Sequence, residues 1–405
     1  MAQFKTNTGV LYTKAESTAG TNSDPLDKAN AYASSVDLDT RFRSTEVSVT
    51  QNFDNEDSKY SNGGDSGDEA IPTTTVADAK FDIKFAPGEF IRDSSNDTDN
   101  VHRLNYAKFL QSAGLDMVKV TDATVTDAAN SYPNKYVFFP SIKKAEETVT
   151  QTAVYTNTDG EGKAMDIVGL MYNFSLTAGG TAASLTFSFD GQGQGNESYD
   201  ISLSDMQKIG YDPSKVMDTI ASRFRLTDVI LTENVAGATP IELCTNSLTF
   251  EAGNEMYLSE CQNTPTGISH NLISAKKPRL SINPKYKTVA EFDSYKALVE
   301  AKNYKVEVTI NDTNKADGTP FTPFKLVIPR AQMISAAITD DNGYLREDIV
   351  LRPIENKESF IPIVNYYADA DGSLTAYDFS STDLSYLAYD STYYFIVEEE
   401  HVATI

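Results

Sequence analysis

The chain has no tryptophan, two cysteines and three histidines in 405 residues, and each scarcity removes a class of chemistry. Cys244 and Cys261 are too few for a disulfide framework and, with no further Cys/His cluster, for a zinc site. A bridge between the two stays conceivable if they fall on neighbouring strands. His102, His270 and His401 stand alone, none with a carboxylate or cysteine at metal-ligand spacing, and no serine sits in a Gly-x-Ser-x-Gly turn. Positive charge is short too: 34 Lys and Arg stand against 58 Asp and Glu, a net charge of -24. That balance argues against a nucleic-acid binder, which needs clustered cations to neutralise phosphate, but suits a surface that a polyanion slides past, or plain solubility. Gly191-Gln-Gly193-Gln-Gly195 is not followed by Lys-Ser/Thr, so it reads as a place where the strand Phe187 to Asp190 turns and not as a phosphate loop. Carboxylate pairs such as Glu146-Glu147 carry no specific signal in so acidic a chain. The opening stretch MAQFKTNTGVLYTKAES lacks the apolar core of a signal peptide, and no window is long enough to span a bilayer. The expectation is a soluble chain made in a cytoplasm, with no enzymatic constellation, no cofactor and no metal.

Alternating apolar and polar residues are what the chain does have, most clearly in two hairpins. In the first, Tyr172, Phe174 and Leu176 alternate with Asn173, Ser175 and Thr177, and after Gly179-Gly180 the return strand sets Leu185, Phe187 and Phe189 against Thr186, Ser188 and Asp190. A period of two marks a strand with one buried and one wet face. The second runs from Phe324, Leu326 and Ile328 through Ile334, Ala336 and Ile338 to the turn Asp341-Asn342-Gly343, then returns through Leu345, Ile349 and Leu351 opposite Arg346, Asp348 and Arg352. Each hairpin follows a similar series. Phe81, Ile83 and Phe85 form a strand, a helix carries Leu104, Phe109 and Leu110 and ends at Gly114, and strands at Tyr136 to Phe139 and Val149 to Tyr155 lead into the first. Leu280 and Ile282 form a strand, the capping box Thr288 to Glu291 opens a helix with Phe292, Tyr295, Leu298 and Val299, and the strand Lys305 to Ile310 leads into the second.

Strand, helix, strand and hairpin thus occur twice, which predicts a mainly β chain with a few flanking helices and two copies of one β-sandwich domain. The expected divisions are 1–191 for the first domain, 192–275 for a connecting or inserted segment, 276–358 for the second domain and 359–405 for tyrosine-rich strands packed on it. Residues 1–50 read as an extended arm with short strands. The connecting segment carries a helix capped by Asp212, with the stripe Val216, Met217, Ile220 and Phe224, and strands at Leu226 to Leu231 and Leu248 to Tyr257. Residues 52–70, with Asp54, Glu56, Asp57, Asp65 and Asp68, have almost no apolar content and read as a long exposed acidic loop. Asp65, Asp68 and Glu69 lack the ligand spacing of a calcium loop, and a tight turn accounts for Asp369, Asp371 and Gly372. The C-terminal tyrosines, Tyr366, Tyr367, Tyr377, Tyr386, Tyr389, Tyr393 and Tyr394, suit either a sandwich edge or a subunit interface.

The stretch Leu11-Tyr-Thr-Lys-Ala-Glu16-Ser-Thr-Ala-Gly20-Thr-Asn-Ser-Asp-Pro25 resembles the start of major tail tube proteins of long-tailed, non-contractile bacteriophages. The hairpin from Gly169 to Gly191 is similar to the one those proteins place after their helix, and Cys244 to Ser247, Ala252 to Glu255, Gly267 and Lys277-Pro278 resemble the middle of longer members. The acidic loop and the tyrosine-rich C-terminus depart from the pattern. The resemblance implies a virion protein, assembled in the bacterial cytoplasm, whose β-sandwich hairpins join neighbours into a closed barrel. The rings stack into a tube through which DNA leaves the capsid without specific binding. The ring-forming hairpins are those carrying Tyr172, Phe174, Leu176, Leu185, Phe187, Phe189, Ile334, Ile338, Leu345, Ile349 and Leu351, and the acidic loop with Asp54, Glu56, Asp57, Asp65 and Asp68, too polar to fold alone, is expected to order against the next ring. The implied partners are other copies of the chain, as a trimer with pseudo-six-fold symmetry, and tail completion, tape measure and tail-tip proteins. A different class, a secreted or surface β-sandwich module that binds carbohydrate, remains the alternative.

Overall fold

Alternation of the kind seen in the two hairpins recurs along the chain, and the fold it produces is mainly β with antiparallel, sandwich-like sheets and few helices. The structure is a computed structural model that describes residues 10–32, 41–43, 47–58, 69–84, 90–91, 103–104, 107–120, 135–140, 148–156, 161–179, 185–194, 196–208, 225–261, 268–285, 287–311, 324–355, 366–368, 374–376 and 392–398. In chain order come β1 (Val10–Ala15), β2 (Arg41–Arg43), β3 (Val47–Ser58), β4 (Glu69–Lys84), β5 (Phe90–Ile91), β6 (Arg103–Leu104) and helix α1 (Ala107–Ser112). They are followed by β7 (Leu115–Val120), β8 (Lys135–Pro140), β9 (Val149–Thr156), β10 (Gly162–Gly179), β11 (Thr186–Gly193), β12 (Asn196–Ile201) and α2 (Leu203–Lys208). Then come β13 (Arg225–Glu233), β14 (Ile241–Leu243), β15 (Thr245–Glu251), β16 (Asn254–Glu260), β17 (Ile268–Lys276), β18 (Arg279–Pro284) and α3 (Ser294–Val299). The last are β19 (Asn303–Asn311), β20 (Phe324–Asp341), β21 (Tyr344–Pro353), β22 (Tyr366–Ala368), β23 (Leu374–Ala376) and β24 (Tyr394–Glu398).

One antiparallel series carries both hairpins: β3 pairs with β4, β4 with β11, β11 with β10, β10 with β15, β15 with β18, β18 with β21 and β21 with β20. From β20 the series branches to β19, β13 and β14 on one edge and to β24, β8 and β7 on the other. No barrel closes within the single chain. β10 is shared between two sheets: Gly162 to Ile167 pair with β9 and β12, and Met171 to Gly179 pair with β11 and β15. The bend falls at Gly169, whose φ of 68° lies in the left-handed region that glycine enters without strain. Beyond β9, the strands β1 and β2 complete the outer sheet.

The two hairpins share a core. Phe187 of β11 lies with its ring centroid 6.2 Å from those of Phe324 in β20 and Phe395 in β24, and Phe395 stacks on Phe138 of β8 at 5.0 Å. Both central domain divisions expected from the sequence, at residues 191 and 275, fall inside strands, β11 and β17. The C-terminal strand β24 joins β20 to β8 and so ties the end of the chain to both halves.

Several local expectations are corrected. The described part of the N-terminal arm does hold short strands, but β1 is built into the outer sheet, with Leu11 and Tyr12 fully buried. The acidic segment 52–70 is no simple loop, because residues up to Ser58 belong to β3 and those from Glu69 to β4. Leu104 lies in β6, outside α1. The helix stop at Gly114 holds, its N–H donating to the Gln111 carbonyl oxygen at 3.0 Å with φ 77°. Thr288 and Glu291 form their capping bonds, at 3.0 and 2.9 Å, but these close a turn, and α3 starts only after Asp293, whose carboxylate accepts from the Lys296 N–H at 2.8 Å. The stretch Leu248 to Tyr257 is two strands split at Gly253. The helix expected from Asp212 lies outside the described residues, whereas α2, capped by Ser202 ahead of Asp205, had not been expected. Gly191 and Gly193 are ladder positions within β11, where the strand runs straight on.

Candidate assembly surface

An assembly surface needs apolar side chains or strand edges that the chain itself leaves uncovered, and the described part of the first hairpin has neither. Tyr172, Phe174, Leu176, Leu185, Phe187 and Phe189 are all buried in the main core. Its edges are occupied as well, β4 lying along β11 and β15 along the second half of β10. These six residues of the hairpin expected to form the ring pack in the core of the single chain and hold the hairpin in place. The Tyr172 hydroxyl donates to Gln151, and the Tyr172 ring lies over Gly191, where a Cβ would come within 2.5 Å of it. Glycine in β11 is thus required by aromatic packing.

The second hairpin divides in two. Its inner half is core: Met333, Ile349 and Leu351 are buried. Its outer half extends past the last partner of β20, since β19 pairs no further than Gln332. Along residues 333–341 no described strand pairs with the outer edge of β20, leaving backbone groups open to strand addition. Asn342 and Gly343, with φ of 54° and 86°, form the two-residue turn, both left-handed as a type I′ hairpin demands. The register sets Ala336 opposite Ile349, Ile338 opposite Glu347 and Asp340 opposite Leu345, so these six share one face. On that face Ile338 is 63% and Leu345 55% exposed, with Ile334 and Tyr344 exposed nearby. Of the second hairpin's expected ring residues, Ile334, Ile338 and Leu345 therefore reach the surface, and Ile349 and Leu351 do not. α3 covers the face just inside this patch: the Ser294 hydroxyl donates to the buried Glu347 carboxylate at 2.6 Å. Val289, Tyr295 and Val299 beside it point outward, an exposure that helical spacing alone had not distinguished from core.

The wet faces of the two hairpins belong to one surface. Register partners carry it from Lys80 through Asp190 and Asn173 on β4, β11 and β10, and from Ser175 through Glu251 to Arg279 on β10, β15 and β18. Ser281 and Val350 then lead onto β21, with Asp348 and Arg352 to either side. Charges of both signs interleave across it. Lys80 pairs with Asp190 at 2.8 Å, Asn283 donates to Asp348, and Arg352 donates to Gln332 at 3.3 Å. The acidic β3–β4 hairpin projects beyond β11, which pairs with β4 only from Ala77 onward. Asp54, Glu56 and Asp57 lie in β3 opposite Thr74, Ile71 and Ala70, while Asp65 and Asp68 lie outside the described residues.

Two carboxylates, the half-buried Glu16 and the fully buried Asp166, neither singled out in the sequence, fasten the segment 16–32 to the outer sheet. Glu16 accepts from Gly20 N–H, Thr148 Oγ1, Thr150 Oγ1 and the bend residue Gly169 N–H, each at 2.7 Å. Asp166, with no exposed surface, accepts from Thr152 at 2.6 Å, Lys28 at 2.7 Å, Tyr199 at 3.1 Å and Asn22 at 3.3 Å. Burial works against the Lys28 charge, but the hydrogen bond and charge of Asp166 outweigh it and hold the ammonium pKa above its usual value. Burial and then the same carboxylate push the Tyr199 phenol well up. Leu26 closes a small second core with Tyr12, Val154, Ala164, Ile201 and Met206.

Among the described residues no three His, Cys, Asp or Glu side chains are grouped to hold a metal ion, and no helix is long and apolar enough to cross a membrane. No disulfide joins Cys244 and Cys261. No protein-family model matches the chain, and no curated protein matches it.

Proposed function

We propose that the chain is a structural subunit that assembles head to tail into rings, and that the rings stack into the tail tube of a long-tailed bacteriophage, a conduit for DNA ejection. The observation that carries this reading is the outer half of the β20–β21 hairpin, where an unpaired strand edge and exposed apolar side chains occur together. A protruding strand of this kind is an aggregation hazard unless a partner strand covers it, and closing it into a ring covers every edge at once. The role is architectural, without catalysis or cofactor. The resemblance of the opening stretch and of the first hairpin to tail tube proteins supports the tube over other closed assemblies. The interleaved charges of the wet face would let DNA pass without a continuous basic track to hold it.

Negative-stain electron microscopy of the purified chain over a range of concentrations tests the proposal. Rings or hollow tubes are expected. A chain that stays monomeric at every concentration would contradict it.

A further inference from the structure

We infer that the outer half of the β20–β21 hairpin of one copy packs against the outward side of α3 of the next. This rests on the ring reading above and adds the surface that receives the hairpin. Two apolar patches lack a cover among the described residues. One is Ile338 and Leu345 on a single hairpin face, with Tyr344 at the turn; the other is Val289, Tyr295 and Val299 on and just before α3. Each of these six side chains keeps more than half of its surface exposed, so the two patches do not cover one another within a chain.

Geometry and charge favour a contact between unlike patches. Within one chain α3 already covers the hairpin face at Glu347, through Ser294, and it leaves Tyr295 and Val299, four residues apart on the helix, turned outward together. The hairpin patch is flanked by Asp340, opposite Leu345, and the helix patch by Lys296, three residues before Val299 and only loosely paired with Glu300 at 3.8 Å. Bringing hairpin to helix sets opposite charges beside each other, whereas hairpin on hairpin would oppose Asp340 to its own copy. A contact between two different patches is heterologous, the kind that closes a ring when its repeated rotation completes the circle and otherwise runs on as a filament.

Cross-linking distinguishes the possibilities in full-length chains with Cys244 and Cys261 replaced by Ser. Mild oxidation of the double variant Ile338→Cys, Tyr295→Cys is expected to give a ladder of covalent oligomers, and a mixture of the two single variants a covalent dimer. Rings visible by electron microscopy without this cross-link would overturn the inference and leave the ring reading standing. Symmetric dimers of the Ile338→Cys single variant, with no ladder from the double, would overturn it as well. Neither particles nor cross-links at any concentration would overturn both. A charge swap provides a second readout that needs no cysteine. Asp340→Lys or Lys296→Asp alone is expected to raise the concentration for half-assembly about tenfold, and the two together to restore it in large part. No recovery in the double variant would count against the pairing.

Discussion

Ile338 and Glu347 stand directly opposite each other on the second hairpin, yet Ile338 is 63% exposed and Glu347 only 4%. The boundary between the part of the hairpin that the chain covers and the part it leaves open passes between these two residues. Glu347 is held by Ser294 of α3, and beyond it the strand pair continues with an apolar side chain facing outward.

The Lys28–Asp166 pair should behave as a coupled unit. Lys28→Met leaves a buried carboxylate without its cation and is expected to cost about 3 kcal/mol in urea unfolding. Asp166→Asn in addition should add less than its separate cost, because the stranded charge has gone. Strict additivity in the double-mutant cycle would show that the pair is not coupled.

Alkaline pH should unfold the protein by a predictable route. Burial pushes the Tyr304 and Tyr394 phenols up to about 12, so the folded state holds these protons more tightly than the unfolded chain. Their contribution is complete below the ordinary phenol value near 10 and is lost as pH rises toward 12. Lys28, raised above 10.5, acts in the same direction. Unfolding free energy measured from pH 8 to 11.5 should hold level in this respect up to about pH 10 and then fall. Stability that rises beyond pH 10 would contradict the assignment.

Two left-handed glycines should respond very differently to alanine. At Gly253, φ 64°, a Cβ would collide with the Lys277 carbonyl oxygen, whereas at Gly343, φ 86°, nothing lies within 4 Å. Gly343→Ala should cost about 1 kcal/mol of backbone strain, and Gly253→Ala at least about 1 kcal/mol more because backbone must move. Equal melting temperatures for the two variants would refute the difference.

Removing Ser61 to Asp68 from between β3 and β4 should leave the melting temperature of the subunit unchanged and allow rings to form, but stop them stacking. Tubes of normal length from this deletion, seen by electron microscopy, would exclude the hairpin from inter-ring contact.

Much of the fold is legible in the sequence because alternation fixes which face of a strand is buried. Phe187 and Phe189, Ile349 and Leu351 are core residues as their spacing implies. Alternation is silent on strand edges. Tyr172 and Ile338 occupy equivalent places in similar patterns, but β4 and β15 flank the first hairpin, whereas on the second Lys285 still bridges to Arg346 of β21 and no described strand flanks β20 beyond Gln332. Those partners come from distant parts of the chain. Glu16 and Asp166 were equally hard to see, since a single carboxylate acquires meaning only when the sheet brings Thr148, Thr150 and Thr152 beside it. The helix α2 escapes notice in the sequence because its six residues give too short an apolar stripe to register.

The central claim is that the open half of the β20–β21 hairpin drives assembly, and sedimentation velocity of the wild type beside Ile338→Lys tests it most directly. Ile338 is exposed in the single chain, so the substitution should leave the circular-dichroism melting curve of the subunit unchanged, within about 0.5 kcal/mol. The account predicts large, ring-sized species for the wild type and a monomer for Ile338→Lys at the same concentration. Wild-type-sized assemblies from a folded Ile338→Lys protein would contradict it.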